Sequence, residues 1–314
     1  MSPMLAPTTV GRSDLPARVR IWEVGARDGL QNESTVVSTA TKIAFIDRLS
    51  AAGLPVVEAT SFVRPDRVPQ LADSAEVMAG IERREGVRYP VLVPNLRGLE
   101  GALAAGATDV AVFASATDSF AQRNLGRPMA EQMAMFGPVI EAARGHGLPV
   151  RGYVSMCFGD PWESAVDPGQ VVAVCAELLA HGCTELSLGD TIGVATPGQV
   201  ADLVRRLVDA GVALDAIGVH FHDTYGQALA NTLAALSSGV TTVDASAGGL
   251  GGCPFAESAT GNLATEDLVW MLDGLGIETG VDLRPLVATS VWMAQQLGRP
   301  TVSRVVQAVG RMDA

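Results

Sequence analysis

Two histidines, His220 and His222, stand one residue apart in the tetrapeptide HFHD, in a chain that has only four histidines. Side chains alternate faces along a strand, so this pair shares one face. At a rise of roughly 3.3 Å per residue the two imidazoles stand about 7 Å apart along that face, close enough to chelate one cation. Asp28, in GARDGLQNE, can add a carboxylate, and Asn262 an amide oxygen. Such a set is hard and oxygen-rich. With positions left open for water or substrate it suits Mg2+ or Mn2+, and Zn2+ and Co2+ stay as alternatives. The competing reading is a pair of hydrogen-bonded core histidines; the strand-end spacing beside Asp28 favours the metal.

Arg27 adjoins Asp28. It either closes the first strand as a salt bridge or meets anionic charge that develops beside the metal. Glu23 and Glu58 lie within strands, where a buried carboxylate needs a partner. They are expected to orient Arg27 or metal-bound water. Asp190 ends another strand in the sequence SLGD. Cys253 sits in the glycine-rich stretch AGGLGGCPFAESATGN, an unusual place for a structural cysteine. A thiol there can donate or accept a proton. Cys157, Cys175 and Cys183 read as structural. Of the 22 Lys+Arg, only Lys42 is lysine, and it belongs to the first helix. A Schiff-base route needs a lysine at a strand end, so if this barrel cleaves carbon–carbon bonds a metal must supply the electrophile.

These residues must be gathered by the fold. Eight short apolar runs are predicted as strands, at 18–24, 55–61, 89–95, 109–115, 149–155, 184–190, 216–222 and 241–247. Segments with helical spacing separate them, and Gly or Pro marks most junctions. Strict alternation predicts an α/β protein, a (β/α)8 TIM barrel with additional C-terminal helices, in preference to a doubly wound sheet. A further helix is expected around 284–297. Residues 1–17 read as an N-terminal extension and 18–314 as a single barrel domain with a C-terminal helical extension. In such barrels the active site gathers at the carboxyl ends of the strands, where the polar residues above fall.

The formal net charge of -12 argues against a nucleic-acid partner. No apolar run reaches the roughly 18 residues of a membrane span, and the first 20 residues lack the apolar core of a signal peptide. Four cysteines without metal-ligand spacing read as reduced thiols of a cytoplasmic protein.

Six stretches in order, EVGARDGLQNE, ATSFVRPDRVPQLAD, VRGYVS, SLGDTIGVATPG, HFHDTYGQALANTL and GLGGCPFAESATGNLATEDLVWML, closely resemble the 3-hydroxy-3-methylglutaryl-CoA lyase family. The family belongs to a superfamily of metal-dependent lyases and Claisen-condensing barrels. The resemblance covers about residues 18 to 310. It implies an acyl-CoA substrate cleaved to acetyl-CoA and acetoacetate, a divalent metal held by Asp28, His220, His222 and Asn262, and a homodimer. It implies catalysis by Arg27, Asp28, Cys253 and His220, with Gln31, Glu58, Asp190 and Glu266 near the site. The sequence departs from the family at Ala26, at Ser34, in SMCFGDPWES and in ASATDSFAQRNLGRP, changes along the mouth that bear on which acyl group fits. Citramalyl-CoA and long-branched glutaryl-CoA analogues are therefore alternative substrates. A condensing synthase is disfavoured because the chain stops soon after the barrel, and a non-catalytic metal-binding protein would not need Arg27 or Cys253.

Overall fold

The computed structural model describes residues 6–252 and 261–310. Its strands are β1 (Arg20–Glu23), β2 (Val56–Val57), β3 (Thr60–Ser61), β4 (Val91–Leu92), β5 (Val110–Ser115), β6 (Val150–Ser155), β7 (Glu185–Asp190), β8 (Ile217–Phe221) and β9 (Thr242–Ala245). All pair in parallel, in the order β2-β1-β9-β8-β7-β6-β5-β4-β3.

β2 and β3 are two halves of the strand expected at 55–61. Between them Glu58 N–H donates to Glu23 O on one side (2.8 Å), and Ala59 N–H to Pro90 O on the other (2.9 Å). One strand thus touches both ends of the sheet, and the barrel closes with eight staves. Observed strands are shorter than the apolar runs because barrel strands tilt steeply and pair over only part of their length.

The helices are α1 (Thr39–Ala51), α2 (Ser74–Gly80), α3 (Leu96–Ala104), α4 (Asp118–Leu125), α5 (Gln132–Gly145), α6 (Pro168–His181), α7 (Pro197–Asp209), α8 (Ala228–Ser237), α9 (Thr265–Gly274), α10 (Leu283–Leu297) and α11 (Arg304–Gly310). Local chemistry sets their ends. Asp167 caps α6 by accepting Gly169 N–H, with Pro168 as the first helical residue. α7 opens with a capping box of Thr196 and Gln199. α10 coincides with the helix expected at 284–297 and is capped by Asp282.

Apolar residues on the outer faces of the strands, such as Val112, Val154, Leu188 and Val219, merge with the helices into one core. Cys157, Cys175 and Cys183 are buried free thiols. Lys42 is buried in α1 and pairs with Asp73 at 2.7 Å. Among the described residues no helix is long and apolar enough to cross a membrane.

Candidate active site

β1 does not run straight into a loop. After Val24 the chain makes a π turn over Gly25–Gly29, closed by Gly29 N–H donating to Val24 O (3.0 Å). Wide turns of this kind present side chains that a regular helix would turn away. Gly29 is required there, because a Cβ would lie 2.8 Å from Ser246 Oγ and 2.9 Å from Leu250 Cβ. The turn aims Arg27 and Asp28 into the mouth.

Arg27 is buried between two carboxylates. Its Nε donates to Glu58 Oε1 (2.6 Å) and its Nη1 to Asp28 Oδ1 (2.7 Å). Glu58, itself fully buried, also accepts Trp22 Nε1–H (3.1 Å) and the Tyr153 hydroxyl. Arg27 is therefore fixed from behind by Glu58 with its charge intact. Burial opposes that charge, and Glu58 and Asp28 more than offset it.

β8 delivers the two histidines. Val219 and Phe221 join the outer core, so His220 and His222 turn inward, with ring centroids 5.4 Å apart. Residues 261–263 then fold back on the end of β8. Leu263 N–H donates to Phe221 O (3.0 Å) and Asp223 N–H to Gly261 O (3.1 Å), which sets Asn262 opposite His222. Asn262 Nδ2 donates to Asp28 Oδ2 (2.9 Å) and to Leu250 O (3.0 Å). Gly251, at φ +105°, lets the chain pass: a Cβ there would lie 2.6 Å from Asn262 Nδ2.

Asp28, His220 and His222 each offer a ligand atom, all within 4.8 Å of one another. Asn262 Oδ1 and His222 Nδ1 are buried and face no partner at hydrogen-bond geometry. Buried polar atoms are normally paired, so idle lone pairs beside such a cluster fit a divalent cation. The electrostatics agree. Burial resists ionisation of Asp28, yet Arg27 and the histidines hold it down at about 2, so it stays a carboxylate. Burial and the neighbouring His220 push His222 down to about 4, leaving it neutral with a lone pair to donate. His220 is raised: burial lowers it, and its bond to Asp244 outweighs burial.

Asp190, at the end of β7, accepts N–H groups from Val194 (2.9 Å) and Ala195 (3.1 Å). Burial raises it to about 6 against those bonds, so it exchanges a proton near neutrality. Gln31 is half-buried just after the π turn, and its neighbour Asn32 donates to Gly252 O (2.8 Å).

Two acidic residues lie apart from this group. Glu23 does not orient Arg27. It accepts N–H groups from Gly25 (2.7 Å) and Ala247 (2.9 Å) and the Thr265 hydroxyl (2.6 Å). Glu266 accepts Gly248 N–H (3.0 Å) and the Ser290 hydroxyl. Together they brace the turn from which the glycine-rich stretch departs. Cys253 lies outside the described residues.

Sequence reasoning overlooked Arg151, Tyr153 and Asp244. Asp244 is fully buried behind His220 with its Oδ2 3.2 Å from His220 Nδ1, and Arg151 Nη2 donates to Asp244 Oδ1 (2.6 Å). The available signal was a charged residue inside an otherwise apolar strand, VRGYVS or TTVDASA.

An α/β barrel with a buried arginine and a cluster able to hold a cation at one mouth fits a carbon–carbon lyase. Residues 18–292 match the sequence profile of the HMGL-like family, and the chain belongs to that family. It is 51% identical to the mitochondrial hydroxymethylglutaryl-CoA lyase of Bos taurus over 312 residues, covering 99% of this chain and 96% of that one. The crystal structure of hydroxymethylglutaryl-CoA lyase from Pseudomonas aeruginosa matches with a TM-score of 0.93 at 49% identity, covering 95% of this chain and 99% of that one. An HMG-CoA lyase from Acinetobacter baumannii, solved with coenzyme A and 3-methylmalate, matches with a TM-score of 0.89 at 38% identity, covering 96% and 97%.

Proposed function

We propose that this chain is a lyase that cleaves 3-hydroxy-3-methylglutaryl-CoA to acetyl-CoA and acetoacetate, with Mg2+ or Mn2+ held by Asp28, His220, His222 and Asn262. The observation that carries the reading is the Asp28–His220–His222 cluster beside a buried Arg27. A divalent cation there would lower the pKa of the substrate's 3-hydroxyl and polarise a neighbouring oxygen.

The chain's own groups then divide the work. Asp190, raised to about 6 by burial, takes the hydroxyl proton. The electron pair that this leaves on oxygen forms the C3=O ketone of acetoacetate as the C2–C3 bond breaks, and the C2–C3 pair passes into the thioester enolate. Arg27, already fixed by Glu58, places a guanidinium against the enolate oxygen at no cost in reorganisation. Cys253 returns a proton to C2, which completes acetyl-CoA. Substituting Cys253→Ala is expected to leave the fold intact and remove most turnover.

The relative solved with coenzyme A and 3-methylmalate favours one second reading, a related 3-hydroxyacyl-CoA such as citramalyl-CoA or a long-branched analogue. The loop 156–164 differs from the family pattern and is locked by Asp160, which accepts Trp162 N–H (2.7 Å), Glu163 N–H (2.9 Å) and the Thr117 hydroxyl (2.6 Å). Residues 18–314 act as one catalytic unit with 1–17 as an extension, as a homodimer in the cytoplasm; the reduced, buried thiols suit that compartment.

The test is a panel of 3-hydroxy-3-methylglutaryl-CoA, citramalyl-CoA and a long-branched analogue, each with Mg2+ and with chelator. Free acetoacetate from the first substrate, only with the cation, is expected. Preferred turnover of another member moves the substrate assignment, and release of free CoA without acetoacetate makes the protein a hydrolase.

A further inference from the structure

Beneath the cation cluster lies a second layer that the reaction itself does not use. Asp244, on β9, is enclosed by three partners: Arg151 Nη2 donates to Oδ1 (2.6 Å), the Ser187 hydroxyl donates to Oδ2 (2.8 Å), and His220 Nδ1 lies 3.2 Å from Oδ2. The Arg151 and Asp244 side chains are only 2% and 0% exposed. The guanidinium lies 3.9 Å from the Trp22 ring centroid and 5.1 Å from that of Tyr153. Its Nε and Nη1 have no hydrogen-bond partner. Gly218 on β8 leaves it room, since a Cβ there would lie 2.7 Å from Arg151 Nη2.

Idle N–H groups on a buried cation are costly, and aromatic stacking offsets only part of the cost. Salt bridges of this burial add little stability over apolar packing. The arrangement makes chemical sense through the histidine. An ionised carboxylate only accepts hydrogen bonds, so His220 Nδ1 must carry the proton. Nε2, the nitrogen facing Asp28 at 3.9 Å, then holds the lone pair.

We propose that Arg151 and Asp244 are a positioning pair that fixes His220 in its Nδ1–H tautomer, with the Nε2 lone pair turned to the cation site. Arg151 can only donate, so it dictates which face of residue 244 is an acceptor. In Asp244→Asn the amide oxygen must stay on Arg151. The NH2 group then points at His220 Nδ1, forces the proton onto Nε2 and closes that nitrogen to a metal. The consequence for metal binding rests on the proposed function; the tautomer does not.

The full chain labelled with 15N-histidine contains only four imidazoles, so His220 is resolvable. At alkaline pH without metal, the wild type is expected to show His220 as Nδ1–H and Asp244→Asn as Nε2–H. Calorimetry with Mn2+ alone is expected to show a dissociation constant about 10–100-fold higher for Asp244→Asn, the usual effect of losing an outer-shell partner. Arg151→Met in the Asp244→Asn background frees the amide to turn, and is expected to restore the Nδ1–H tautomer and part of the affinity. Circular dichroism confirms that each variant is folded. A wild-type tautomer and wild-type affinity in Asp244→Asn overturn the inference. So does a folded double variant that keeps the Nε2–H tautomer. If the wild type binds no Mn2+, the metal reading fails while the tautomer result still decides this one.

Discussion

At the floor of the barrel Arg88 donates through Nε to Asp109 (2.8 Å) and reaches Glu185 (3.3 Å), which also pairs with Arg20 (3.0 Å). At the mouth Arg27 is likewise shared between two carboxylates, Glu58 and Asp28. Residue types and distances are alike, and the idle atoms differ. On the floor they are one donor, Arg20 Nε, and one acceptor, Glu185 Oε2. At the mouth cluster they are Asn262 Oδ1 and His222 Nδ1, beside a carboxylate held ionised. On the floor the leftover donor and acceptor cancel, whereas the atoms left over on Asn262 and His222 lie beside a carboxylate and fit a cation. What the orphaned atoms lie beside therefore separates the two ends better than charge density does.

Substitutions at the two ends should fail in different ways. Arg27→Gln is expected to cost about 10²–10³ in turnover, the usual price of one oxyanion donor, with little change in circular dichroism; acetoacetate release measures it. Next comes His222→Ala, which removes a ligand and is expected to weaken Mn2+ binding by at least about 10²-fold, more than an outer-shell loss, as calorimetry would show. On the floor, Arg88→Met leaves Asp109 without its guanidinium. Because Arg88 is a third exposed, the expected loss is only about 1–2 kcal/mol in denaturant unfolding, with turnover unchanged. A fall in turnover without a fall in stability there would erase the contrast between the two ends.

The smallest effect concerns pH. Burial raises Glu23 to about 7 and Glu266 to about 8, against an ordinary value of 4.5. Both hold protons more tightly when folded. Their contribution to stability is complete below pH 4.5 and is lost as pH rises through about 7 and 8. Thermal midpoints should decline over that window, and Glu266→Gln, a permanent stand-in for the protonated acid, should flatten the decline. An equal slope in wild type and variant would remove Glu266 from the account.

Much of this was legible in the chain. The eight apolar runs mark the eight staves, and the i, i+2 spacing puts His220 and His222 on one inner face. The candidate donors Asp28, His220 and His222 were visible because polar residues at strand ends stand out against apolar runs. What periodicity could not reveal was pairing across the barrel. Asn262 reaches His222 only because residues 261–263 fold back on β8, a contact decided by hydrogen bonds between distant segments. Glu23 and Glu58 share the same strand context, yet one braces the 247–249 turn and the other holds Arg27. That choice depends on the π turn after β1, for which GARDG carries no period of its own. Asp244 and Arg151 were hidden because each is a single charge inside an apolar strand, meaningful only once the strands are wrapped into a barrel.

The most direct measurement is acetoacetate release from 3-hydroxy-3-methylglutaryl-CoA by protein stripped of divalent ions, followed by Mg2+ or Mn2+ titration. Activity that vanishes on stripping and returns with about one ion bound per chain is the predicted result. Undiminished release from the stripped protein would contradict the account.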